Sequence, residues 1–303
     1  MEFSALDHRF MSRALELAER GAFTTKPNPM VGCVLAHGET VVGEGWHERA
    51  GGAHAEVMAL AVAHARARGA TAYVTLEPCA HTGRTPPCVE GLVAAGVKRV
   101  VAATGDPNPR VSGKGFDGLR AAGIEVETGL MALAAREQNR GFFSRIERGR
   151  PWVRVKLAMS LDGRTALASG ESRWITSDAS RADVHRWRAR SGALLTASGT
   201  VLADNPRLTV RLDDDAAFAP PLRVVLDPGL AIPERAHLLD EAAPTLLVQT
   251  TPRESPSISA DAIVPSCRVP AAGSTWPRSW LSWHNAASTR CRPRPGPHSP
   301  VRC

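Results

Sequence analysis

No apolar run in the 303-residue chain approaches the ~18 residues that would cross a bilayer, and Met1-Glu2-Phe3-Ser4 lacks the basic-then-apolar layout of a secretion signal. A membrane protein and an exported one are both set aside, and a cytoplasmic protein is expected. There is no G-x-G-x-x-G, so any dinucleotide would be held without a Rossmann fingerprint. The six cysteines make no disulfide framework: Cys79 and Cys88 lie in a metal-type motif, Cys33 lies in an apolar strand-like run, and only three late ones remain. The net charge of +7 is unevenly spread. From Ser266 to Cys303 there are six arginines and neither a lysine nor an acid, so this stretch carries +6 and the rest is nearly neutral. A basic nucleic-acid-binding face is therefore not expected outside that tail. At 43% hydrophobic and 22% charged, the chain is ordinary for a globular protein, and long enough for two domains with separate cores.

What is present centres on His54-Ala55-Glu56 and Glu77-Pro78-Cys79-Ala80-His81-Thr82-Gly83-Arg84-Thr85-Pro86-Pro87-Cys88. One imidazole nitrogen and two thiolates are the ligand set zinc prefers, and three protein ligands leave the fourth tetrahedral position open for chemistry. Glu56, two residues from His54, is near enough to carry protons without binding the metal. The pattern is that of zinc nucleobase deaminases, H-x-E followed by P-C-x-x-C, with one departure. Thr82 stands where the second cysteine is expected, and Cys88 comes nine positions after Cys79. A structural zinc knot with His81 as fourth ligand is the alternative, less favoured because a closed shell gives Glu56 no purpose.

Helical spacing predicts a first helix over residues 4–21, with Ser4 as N-cap and Gly21 as the stop. The runs 31–36 and 41–46 predict a hairpin about His37-Gly38-Glu39. Asn28, between Pro27 and Pro29, is held out as a fixed donor and acceptor for a heterocycle edge or serves as a turn residue. A helix from His54 to about Ala65, strand 72–76, helix 89–95, strand 98–103, helix 115–122, strand 124–127 and helix 130–145 complete an alternating α/β layer domain, 1–148. After Arg148-Gly149-Arg150-Pro151 the pattern restarts with strand 152–159, a helix from Ser177 or Asp178, and strands 193–197, 222–226 and 245–249. From about Ser266, six prolines, six arginines and three tryptophans crowd into 38 residues without apolar periodicity. Residues 266–303 read as an aberrant basic tail, the product of a shifted reading frame, or as a disordered basic segment.

Five stretches together resemble the bifunctional pyrimidine deaminase/reductase family of riboflavin biosynthesis, over about residues 4–265. They are Lys26-Pro27-Asn28-Pro29-Met30-Val31-Gly32, His54-Ala55-Glu56, Pro78 to Cys88, Lys156 to Arg164 and Thr200 to Arg211. The resemblance implies an α/β fold: a cytidine-deaminase-like three-layer α/β/α domain (1–148) and a dihydrofolate-reductase-like α/β domain (151–265), the latter incomplete at its C-terminus. It implies Zn2+ on His54, Cys79 and Cys88, with Glu56 catalytic. Asn28, His47, His81 and Arg84 would hold a phosphoribosylaminopyrimidine, a small-molecule substrate. In the second domain Ala158, Trp174, Thr200 and Asp204 fall at NADPH positions, and Ser172, Arg188, Leu208 and Arg211 at substrate positions. The family's later strands, substrate-contacting Glu and glycine-rich cofactor loop have no counterpart in 266–303, so weak NADPH binding or none is expected. A homo-oligomer with no nucleic-acid or membrane partner is implied. The rivals are a deaminase of nucleic-acid bases and a zinc-stabilised RNA-binding protein.

Overall fold

In the computed structural model, which describes residues 2–81, 86–109 and 111–249, the first helix α1 spans Ala5–Glu19. Ser4 and Asp7 form the reciprocal capping box that the Ser4 expectation requires, with Ser4 Oγ accepting from the Asp7 N–H at 3.1 Å. Strands β1 (Gly32–His37) and β2 (Thr40–Trp46) make the hairpin, antiparallel, with a register shift at Leu35/Ala36. Helix α2 (Ala55–Ala63) is followed by β3 (Thr71–Val74), α3 (Cys88–Ala94), β4 (Arg99–Ala102), α4 (Lys114–Ala121) and β5 (Glu125–Thr128). The strands lie in the order β2-β1-β3-β4-β5, with β3, β4 and β5 mutually parallel.

Period-two alternation sends neighbouring residues of each strand to opposite faces, and two cores result. Cys33, Leu35, Ala72, Val74, Val100 and Ala102 pack beneath α2, α3 and α4. Val34, Ala36, Tyr73, Val101 and Ala103 pack beneath α1. This is the expected α/β/α sandwich. Helix α2 lies unusually close to β2 because a Cβ on Gly45 would stand 2.5 Å from the Ala55 carbonyl oxygen. That close approach fixes where the N-terminus of α2 points.

Two local expectations are corrected. The helix expected over 130–145 is two helices, α5 (Ala132–Gln138) and α6 (Arg140–Arg148), broken at Asn139. The buried Asn139 amide accepts from the Met30 N–H (2.8 Å) and donates to the Met30 carbonyl (2.9 Å), so it serves the loop beyond Pro29.

The strand expected over 152–159 is not formed: residues 151–160 pair with no strand among the described residues, and nearly all are exposed. Alternation of apolar residues favours an extended backbone, but a strand needs a neighbouring edge for its N–H and C=O groups and a layer to cover its side chains. Helix α7 (Asp178–Arg190), capped by Ser177, and strands β6 (Ala193–Ala197), β7 (Leu222–Leu226) and β8 (Thr245–Val248) follow as expected, and a short helix not expected from the sequence, α8 (Ser198–Asp204), comes directly after β6. The three strands form a parallel sheet in the order β6-β7-β8 over a small core of Val201, Val225, Ala236, Leu238 and Leu247. Arg223 is wholly buried there and donates to Asp240 at 2.8 Å. The expectations for residues 266–303 lie outside the described residues. No helix of the described residues is long and apolar enough to cross a membrane.

Candidate metal centre

Three segments converge at the C-terminal end of β3. His54 is the N-cap of α2, Cys88 is the first residue of α3, and Cys79 lies on the loop that leaves β3. The Cys79 carbonyl accepts from the Val89 N–H (3.2 Å), which ties that loop to the start of α3. Two helix N-termini thus face one point, and their unpaired N–H groups favour negative charge there. The Cys88 N–H lies 3.4 Å from Cys79 Sγ.

His54 Nδ1 is 3.2 Å from Cys88 Sγ and 3.5 Å from Cys79 Sγ, and the three ligand atoms all lie within 4.8 Å of one another. Zinc ligands at ~2.0–2.3 Å in a tetrahedron stand roughly 3.5–3.8 Å apart, so the donor set and its spacing both fit zinc. Hydrogen bonding from the Cys88 thiol and the His54 ring pulls the Cys79 pKa down despite burial, whereas the Cys79 thiolate and burial push Cys88 up. His54 is pushed up, first by its bond with Cys79.

Glu56 sits in the first turn of α2 and is only 3% exposed. Burial raises its carboxyl to about 7, against the pull of its own backbone N–H and of His54. A carboxyl that exchanges its proton near neutrality suits a group that must both take and give one.

His47 is buried and holds the Ala53 carbonyl through Nδ1 at 2.9 Å. Its Nδ1 therefore carries the proton, and Nε2 is free to accept from Asn28 Nδ2 at 3.2 Å. Burial lowers the His47 pKa, which keeps the ring neutral. The His47 and His54 rings meet edge to face at 5.6 Å. Asn28, His47 and His54 thus stand in one row, with the Asn28 side chain exposed. His81 is exposed on the loop after Cys79, and Arg84 lies outside the described residues.

In the second region Arg188 donates to the Thr209 carbonyl at 3.3 Å. The Arg211 side chain meets His185 Nε2 at 3.0 Å. Burial and Arg211 lower the Arg188 pKa. Arg188, Leu208 and Arg211 are therefore brought near one another. Thr200 and Asp204 share the short helix α8, both exposed. Ala158 sits on the unpaired stretch 151–160, and Ser172 and Trp174 sit on the irregular segment before α7, with Trp174 72% exposed beneath the Arg181 guanidinium.

Residues 4–104 match the family described as cytidine and deoxycytidylate deaminase zinc-binding region, and residues 151–270 match the RibD C-terminal domain. The riboflavin biosynthesis protein RibD of Haemophilus influenzae is 52% identical over 264 residues, covering 84% of this chain and 71% of that protein. The chain belongs to the RibD family. RibD of Escherichia coli is 56% identical over 231 residues, covering 73% of this chain but 63% of that protein. Among solved structures, Acinetobacter baumannii RibD superposes with a TM-score of 0.83 at 45% identity, covering 93% of this chain and 78% of that one. A Thermotoga maritima diaminohydroxyphosphoribosylaminopyrimidine deaminase/5-amino-6-(5-phosphoribosylamino)uracil reductase superposes with a TM-score of 0.76 at 40% identity, over 81% of this chain and 70% of that one. The fold is thus a cytidine-deaminase-like domain followed by the dihydrofolate-reductase-like RibD C-terminal domain.

Two acidic residues beside the candidate zinc centre, Glu77 and Asp106, have no role in the sequence reading, although Glu77 opens its central motif. Glu77, buried just before Pro78-Cys79, accepts from the backbone N–H groups of Asp106 (3.1 Å), Gly113 (3.1 Å) and Gly115 (2.9 Å). Gly115 is required there, since a Cβ would fall 2.0 Å from the Pro78 carbonyl oxygen. Asp106, on the loop so held, is raised to about 6 by burial, with Glu77 adding to it. A carboxylate closing an otherwise apolar strand was the available signal for Glu77.

Proposed function

We propose that this chain deaminates 2,5-diamino-6-(5-phosphoribosylamino)pyrimidin-4(3H)-one by hydrolysis, releasing ammonia and 5-amino-6-(5-phosphoribosylamino)uracil. The observation that carries the reading is the buried Glu56 carboxyl, titrating near neutrality beside a His-Cys-Cys cluster spaced for zinc. His54, Cys79 and Cys88 hold the metal. Zinc, when bound, supplies the Lewis acidity that brings the pKa of water near 7.

Glu56 takes one proton from the attacking water and passes it to the ring nitrogen, then takes the second proton from the same oxygen as the C2 carbonyl forms and passes it to the amine as the C2–N bond breaks. One water is consumed, its oxygen becomes the C2 carbonyl, and one ammonia departs. Burial suits Glu56 to both steps, since a carboxyl at about 7 is neither too weak a base nor too weak an acid at working pH. The neutral, fixed His47 ring and the Asn28 amide are the groups that orient the base edge. His81 and Arg84, on the loop between the two thiols, take the phosphoribosyl arm, for which a guanidinium gives paired hydrogen bonds.

The deaminase domain is assigned to residues 1–148 and the reductase domain to 151–265. In the second, Ala158, Trp174, Thr200 and Asp204 face NADPH, and Ser172, Arg188, Leu208 and Arg211 face the sugar phosphate. Trp174 is largely exposed and Ala158 lies on an unpaired stretch, so the described residues do not by themselves enclose a dinucleotide. Weak NADPH binding is therefore expected. The protein is read as cytoplasmic and homo-oligomeric, with a small-molecule substrate and no nucleic-acid partner.

The test is to assay zinc and follow ammonia release from the diaminopyrimidinone phosphate, with and without NADPH. Release without NADPH oxidation is the expected outcome. No release from zinc-loaded protein would sink the reading, and coupled oxidation of NADPH would overturn the account of the second domain.

A further inference from the structure

Lys26 does not reach into the zinc centre, although it opens the segment that carries Asn28. Its Nζ instead donates to three backbone carbonyls of the second region: Ala189, Ser191 (3.0 Å) and Ala219 (3.1 Å). An ammonium has three donors, and here all three are used. Ala189 and Ser191 lie at the C-terminal end of α7, where carbonyls lack helical partners and the helix dipole favours a cation. Lys26 therefore caps a helix that begins about 150 residues later in the chain. All its partners are neutral, and burial pulls its pKa down to about 8.

The contacts around it belong to the same junction. The Ala219 N–H donates to the Phe23 carbonyl at 2.9 Å, Arg190 of α7 pairs with Glu19, and the Arg186 guanidinium lies 5.5 Å over the Phe23 ring. On the other side, a short path leads to the site. The Asn28 N–H donates to the Thr25 carbonyl at 2.8 Å, and the Asn28 side chain meets His47, which is bonded to Ala53 beside His54.

We propose that Lys26 is a positioning residue, fastening the Asn28 segment to the C-terminal end of α7 so that the second region sets where the base-orienting amide of the deaminase site stands. The second region then contributes to deamination as a scaffold, whatever its own chemistry. This rests on the deaminase reading above.

The test is Lys26→Met in the full chain, which keeps the stem length and removes all three donors. The expected result is a rise of about tenfold in KM for ammonia release, with kcat within about twofold and zinc content unchanged. Amide exchange across residues 20–31 should quicken roughly tenfold. Unchanged KM and unchanged exchange in folded, zinc-loaded Lys26→Met overturn the proposal, even if the melting temperature falls, because that is a merely structural role. Should Lys26→Met fail to fold, Glu19→Gln weakens the same junction. A smaller rise in KM with faster exchange over 20–31 then supports the proposal, and no change in either overturns it. If the unaltered protein releases no ammonia, the deaminase reading fails by itself, and exchange over 20–31 alone decides whether Lys26 holds the segment.

Discussion

Leu35, Val74 and Val100 in the first region and Val153, Val155 and Leu157 in the second are side chains of the same kind, set in runs with the same extended character. The first three are fully buried, whereas the second three are 71, 76 and 67% exposed. The first three belong to strands with ladder partners, β1 to β3 and β3 to β4, and to a face roofed by α2, α3 and α4. The second three have neither among the described residues. Burying a Leu or Val is worth about 1.5–3 kcal/mol, but only when something covers it. Strand propensity is thus a property of the neighbourhood more than of the run, and a site is only as fixed as the strands beneath it. The candidate zinc ligands stand on two helix ends and a loop packed against the covered sheet, while Ala158 stands on the uncovered stretch and Trp174 on an exposed segment beyond it.

The contrast can be pressed first through chemistry. Glu56→Gln should keep the fold and the zinc, by metal analysis and melting, while ammonia release falls about 10²–10⁴-fold. Undiminished release would take Glu56 out of the reaction and leave the first region no better defined functionally than the second. Leu35→Ala should cost about 2–5 kcal/mol in denaturant unfolding, the loss expected for a large side chain removed from a closed core.

Asp7 gives a third probe of the first region. Burial alone would raise its carboxyl, but hydrogen bonds from Arg99 (2.7 Å), Ser4 (2.8 and 2.9 Å) and Tyr73 (2.9 Å) outweigh burial and hold it well below the usual carboxylate range. Its folded pKa is below its unfolded value of about 3.9. The stabilisation is therefore fully present above the unfolded value and drains away as pH falls through the lowered folded one. Asp7→Asn should cost about 2 kcal/mol at neutral pH, and its stability should fall less steeply with acid below about pH 4. An unaltered acid limb would mean that Asp7 does not carry this linkage.

The smallest effect belongs to the second region. Leu157→Ala should change stability by no more than about 0.5 kcal/mol, and amides of 151–160 should exchange far faster than those of β3 and β4. A loss as large as that from Leu35→Ala would show that 151–160 is packed in solution, and the comparison would collapse.

Much of this was legible in the amino-acid sequence because it is written locally. The His-Ala-Glu and Pro-Cys spacing names a metal's ligands and a proton carrier, since coordination chemistry restricts which side chains serve. The Ser4 cap, the hairpin and the alternation of strands and helices follow from periods of 2 and 3.6. Tertiary structure decided whatever depended on a distant partner. Asn139 breaks a helix because Met30 needs its amide. Glu77 is buried because three N–H groups from another loop await it. Residues 152–159 stay unpaired because alternation cannot supply a neighbour. Lys26 reads as part of a loop motif, yet it caps α7. The physical reason is the same in each case: a backbone hydrogen bond or a buried face is shared by two segments, and neither segment's own sequence specifies the other.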